Sequence, residues 1–190
     1  MPMTWIDVAS DGVKIGVPAL LTAIVSISVA VIGGRNSHRK ETSANRRRLI
    51  ENAVSGAEPF MRSFLLLMTE TSNAARQVAR AQDGGQTLST AAIEEKRRPL
   101  AEQTEPNSEF HLQYHDAKKE VGLLILAGAE AEATILENLL DFSKKTRNDY
   151  FGSNSRGKLP SVTDVLGRIE QFSVMRSAFL TSCGRCYANL

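Results

Sequence analysis

The sequence predicts an all-α protein: a single N-terminal transmembrane helix, then a cytoplasmic antiparallel helical bundle containing one long helix of about 40 residues. Three observations carry that expectation. Residues 15–32 contain no charged side chain. Downstream, apolar residues recur at spacings of three and four. No segment alternates with period two, and no Asn-Gly or Asp-Gly turn joins two such runs, so nothing points to strands.

The run "IGVPALLTAIVSISVAVI", Ile15 to Ile32, extended by Gly33 and Gly34, makes roughly 27–30 Å of helix, enough to cross a hydrocarbon core. Pro18 falls in the first turn, where its missing N–H is tolerated, and Trp5 and Lys14 are suited to an interface. A buried helix of a soluble domain seldom lacks charge all round for so long. A cleaved export signal would find a small-residue site at Ser28-Val29-Ala30, but the start carries Asp7 and Asp11 against Lys14. After the run come Arg35, Arg39, Lys40, Arg46, Arg47 and Arg48 against Glu41. Cations there resist translocation, so the expected topology at the cell (inner) membrane is N-terminus outside and bulk cytoplasmic.

The expected organisation is a tail over 1–14, the span over 15–34, a basic juxtamembrane helix or linker over 35–57, the bundle over 58–186 and a tail over 187–190. "SANRRRLIENAV" reads as helix, interrupted at "SGAEPF" by Gly56 and Pro59. Pro59 then opens a helix that ends at Asp83-Gly84-Gly85, with Phe60, Phe64, Leu67, Thr71, Ala74 and Val78 on one face. Ser89 or Thr90 caps a short polar helix, with Glu94 and Arg98 at i, i+4 and Pro99 bending or ending it. Ser108 to Tyr150 is the long helix, its seam running Tyr114, Ala117, Val121, Leu124, Gly128, Ala131, Ile135, Asn138 and Phe142. After "GSNSRGKLP", Ser161 and Asp164 start a last helix carrying Val162, Val165, Ile169, Phe172 and Phe179.

Chemical motifs are sparse. "GSNSRGKL" nearly completes a phosphate-binding loop, but Leu159 stands where Ser or Thr would hold magnesium, and no strand precedes it. A Gly/Ser linker explains it as well. Cys183-Gly184-Arg185-Cys186 lies at the end of its helix, where the dipole disfavours a thiolate. With His111 and His115 the two cysteines would complete tetrahedral zinc if the start of the long helix met the end of the last one. The alternative places Cys183 on an apolar face and the histidines on its polar border. There is no H-E-x-x-H, E-x-x-H or G-x-S-x-G. No enzymatic activity, cofactor, nucleic acid or small-molecule substrate is therefore expected.

Two features bear on function. Ala19, Ala23, Ser26, Ala30 and Gly33 form a stripe of small residues along which two membrane helices pack closely. The six cations from Arg35 to Arg48 suit anionic headgroups. The expected role is a non-enzymatic, membrane-anchored scaffold that self-associates or binds a helical protein partner, in contact with membrane lipids. A holin-like or toxic effector whose anchors cluster into a lesion is the alternative.

Overall fold

The computed structural model describes the backbone of residues 5–190 and the side chains of residues 40–190. Five α-helices follow one another: α1 (Trp5–Asp83), α2 (Thr90–Glu102), α3 (Glu109–Leu126), α4 (Glu130–Phe151) and α5 (Val162–Ala188), with a 3-10 turn at Ser153–Ser155. No strand occurs among the described residues. Two compact units divide at Ala44 and Asn45. In the first, side chains are described only from Lys40, which is exposed like Glu41 beside it. Among the described residues no helix is long and apolar enough to cross a membrane. The side chains of the expected span, 15–34, lie outside those described.

The second unit is an antiparallel bundle. Residues 45–83 of α1 run against α3, with Arg46 beside Ala127 and Ser63 bonded to Gln113. They also run against α5, where Arg176 Nη2 meets Glu58 Oε1 at 2.7 Å. α4 opposes α5 in turn, Glu132 accepting from Ser182 at one end and Asp164 from Tyr150 at the other. Phe64 is the hub of the core. Its ring lies 4.4 Å from Phe172 of α5 and 6.4 Å from both Phe110 of α3 and Phe142 of α4. The face expected on α1 is buried as read, apart from a half-buried Ala74, and Met61 and Met68 widen it.

Two expectations about helix ends are corrected. The helix does not stop at "SGAEPF" but passes through Gly56 and Pro59. Pro59 and Ser55 are both exposed, so the Ser55 carbonyl that loses its N–H partner is left to water. An interior proline costs about 3 kcal/mol. Continuing the helix keeps Ile50, Ala53 and Ala57, before the proline, in the same core as Phe60 and Met61 after it, and that burial, about 2–3 kcal/mol for a large side chain, offsets the cost. Gly56 is a close approach, because the Glu120 carboxylate occupies the space a Cβ would need. Ile50, Ala53 and Ala57, expected in a juxtamembrane linker, belong to the core.

The long helix expected over 108–150 is two helices, and the long helix of this protein is α1. Gly128 adopts φ +69°, and its N–H and that of Ala129 return to the carbonyls of Ile125 and Leu124. This is a Schellman stop with glycine at the left-handed position, as at Gly85 (φ +79°) after α1. The reversal also resets the register. On α4 the buried face runs Ala133, Leu136, Leu139, Leu140, Ser143 and Thr146, while Ala131 and Asn138 of the expected seam are exposed.

The remaining ends are as read: Ser89, Ser108 and Ser161 cap α2, α3 and α5 through their hydroxyls. Pro99 is carried inside α2. Glu94 pairs with Arg97, not Arg98, at 2.9 Å. Its other oxygen accepts the Gly157 N–H at 2.5 Å, the largest influence holding its carboxyl below the usual range. That bond fastens α2 to the α4–α5 loop.

The two left-handed glycines give a paired prediction. Gly85→Ala meets open space and loses only the conformational term, about 1 kcal/mol. Gly128→Ala brings a Cβ within 2.8 Å of Arg46 Nη2 and weakens that residue's bond to Ala127, for a loss of about 2 kcal/mol or more. Urea denaturation followed by circular dichroism measures both, and Gly128→Ala combined with Arg46→Ala falls short of the sum of the single changes. Equal losses at the two glycines would contradict the account.

Candidate functional site

The Gly128 reversal gathers residues from four helices at one end of the bundle. Arg46 is the first to arrive, its Nε donating to Ala127 O at 2.6 Å. A cation at the carbonyl end of α3 is favoured both by the hydrogen bond and by the helix dipole. One residue on, the Arg47 guanidinium stands 5.4 Å from the centre of the Tyr187 ring on α5. Glu132, in the first turn of α4, is only 8 % exposed and accepts from Ser182 Oγ at 2.7 Å. Between α1 and α5 lies an open groove of about 440 Å³, with Ile50 and Val54 on one wall and Leu180 and Cys183 on the other. Glu51 and Tyr187 form its polar edge, and Glu51 pushes the Tyr187 hydroxyl above its ordinary range.

Both cysteines are free thiols. Burial, then the Glu132 carboxylate and Cys186, pushes the Cys183 thiol up to about 12. Cys186 is raised as well, chiefly by burial and then by Glu132, with Arg46 opposing. A thiol held protonated is a poor nucleophile, and Cys183 packs within the hydrophobic core.

The structure does not bring the four zinc ligands together. The reversal at Gly128 leaves Cys183 and Cys186 beside the end of α3, whereas His111 and His115 lie in its first two turns, roughly 20 Å away along the helix. A hairpin between one unbroken long helix and α5 was the condition for that site, and the break removes it. The two histidine rings do meet each other, Nε2 to Nε2 at 3.0 Å. Among the described residues no group of three or more His, Cys, Asp or Glu is placed to hold a metal. In "GSNSRGKL" the Gly157 N–H, a group a phosphate would need, is already bonded to Glu94.

Of the six expected lipid-facing cations, Arg35 and Arg39 lie outside the described side chains. Lys40 and Arg48 are exposed, while Arg46 and Arg47 are half-buried against the bundle. The stripe Ala19, Ala23, Ser26, Ala30 and Gly33 also lies outside the described side chains. Sequence reasoning missed the row His111, His115 and Lys118, which faces Lys144 and Arg147 of α4. Its signal was legible as spacings of four and three on α3 and three on α4.

Together the helices define an antiparallel helical bundle with an apolar groove at one end. No family model, curated protein or solved structure matches this chain.

The thiols provide a test of the packing. At pH 8, iodoacetamide modifies Cys186 while Cys183 reacts only as fast as the bundle opens, read by mass spectrometry of peptides sampled over time. Equal rates for the two would contradict the burial. The folded Cys183 value lies above the ordinary thiol value of about 8.5. Its contribution to stability is therefore complete below that pH and is lost as pH rises toward 12. Cys183→Ala flattens that part of the stability profile.

Proposed function

We propose that this chain is a non-enzymatic, single-span, membrane-anchored interaction protein whose helical bundle docks a helical partner or a second copy at the cytoplasmic face. The observation that carries the reading is the uncharged run 15–32, followed by the cation excess from Arg35 to Arg48. Small residues at Ala19, Ala23, Ser26, Ala30 and Gly33 suit self-association of the anchors. Headgroup contact is assigned to Arg35, Arg39, Lys40 and Arg48. Arg46 and Arg47 are left out because their side chains engage Ala127 and Tyr187. The groove between α1 and α5, apolar on both walls, is the surface offered to a partner helix.

Alkaline washing of vesicles tests the anchor. The full chain stays with the membrane pellet, and Ile24→Arg, at a cost of about 2.5–3.5 kcal/mol at the span centre, moves a large share to the supernatant. Release of the unaltered chain by the wash would overturn the reading. Crosslinking in intact cells then separates roles: partners recovered with normal membrane potential support a scaffold, and collapse of the potential on expression supports the permeabilising alternative.

A further inference from the structure

Away from the cysteine end, α3 and α4 enclose a second cleft, of about 200 Å³. Phe110 and Tyr114 supply its aromatic surface. His111, His115 and Lys118 come from α3, and Lys144 and Arg147 from α4. No carboxylate lines it. The nearest acid in effect is Asp141, which acts with burial to raise the Tyr114 hydroxyl, Arg147 opposing.

Some cations of the bundle are tied to acids, and others, such as Arg62, Arg76 and Lys145, stand in no salt bridge among the described residues. Arg97, Lys119, Arg168 and Arg176 each have a carboxylate partner. Lys118, Lys144 and Arg147 form no salt bridge among the described residues, and the one hydrogen bond of Arg147 goes to Asn148 Oδ1 at 3.2 Å. Lys144 and Arg147 have a local reason to be basic, since they lie in the last two turns of α4, near its negative pole. That reason does not extend to His111 and His115, which lie in the first two turns of α3, or to Lys118 at its middle. The His111 and His115 rings share one contact at 3.0 Å, in which one Nε2 donates to the other. Lys118, Lys144 and His115 are exposed and Arg147 is half-buried, so the cations reach the cleft from its rim.

We propose that this cleft binds a phosphate monoester carrying a single small ring. The dianion is held by Lys118, Lys144 and the Arg147 fork, with the histidine pair beside it, and the ring lies against Tyr114 and Phe110. Three permanent cations converging on one small volume match two negative charges better than one, which favours a phosphate over a carboxylate. The volume suits one phosphate and one ring and excludes a dinucleotide. The site is independent of the anchor and of the groove at the other end.

The test uses the full chain in a phosphate-free, uncharged detergent, with phenyl phosphate as probe and calorimetry and histidine NMR as readouts. Phenyl phosphate binds and shifts the His111 and His115 ring signals. Benzenesulfonate, with one charge, binds roughly tenfold or more weakly, as does inorganic phosphate, which lacks the ring. Lys144→Ala with Arg147→Ala lowers phenyl phosphate affinity by at least roughly tenfold while circular dichroism stays unchanged. Lys145→Ala, on the neighbouring exposed position, leaves affinity as it was. Absence of binding, equal affinity in the double variant, or equal loss from Lys145→Ala would overturn the proposal. A short-chain phosphatidic acid binding more tightly than phenyl phosphate would overturn the ring contact and assign the phosphate to a lipid.

Discussion

The chain turns back on itself at Gly128, and nearly every other relationship in the bundle follows from that turn. Glycine takes the left-handed conformation that other residues adopt only at a cost, and Arg46, from a helix 81 positions earlier in the chain, donates to the carbonyl just before it. The reversal lays α4 antiparallel to α3. This brings Phe142 within 6.4 Å of the Phe64 ring, and the hub so formed ties α1, α3, α4 and α5 together. An unbroken helix would have carried Phe142 away from that core and left the faces of α1 and α5 without their partners.

The same turn gives the two ends of the bundle different chemistry. At one end, Arg46 and Arg47 neutralise a helix terminus and cover an aromatic ring, and the Cys183 thiol is buried in a protonated form. At the other, lysine, arginine and histidine converge on an aromatic surface without a matching acid. Other charges of the bundle are paired across helices. Arg168, for example, reaches Asp149 and Asp164 across the α4–α5 connection, near the Tyr150 to Asp164 bond.

Much of the fold was legible in the sequence because its signals are local. Serine caps, the double glycine after Asp83 and the face from Phe60 to Val78 rest on neighbours three or four residues away. What was not legible rests on residues distant in the chain. Pro59 reads as a start because its effect on Ser55 is local, whereas the burial that carries the helix past it is tertiary. Gly128 fits both a close-packed seam and a helix stop, and only the Arg46 contact and the Phe64 hub decide between them. Arg46 and Arg47 read as headgroup ligands because nothing nearby in sequence announces Ala127 or Tyr187 as partners. The basic cleft went unread because its two halves lie on helices that the expected long helix had fused into one.

The reversal is most directly tested by the distance between exposed positions 112 and 145, spin-labelled in a cysteine-free full-length chain and measured by pulsed electron resonance. Folded back at Gly128, neighbouring helix axes about 8–10 Å apart hold the labels within about 20 Å of each other. A distance near 50 Å, the span of an unbroken helix over that stretch, would contradict the fold and everything argued from it.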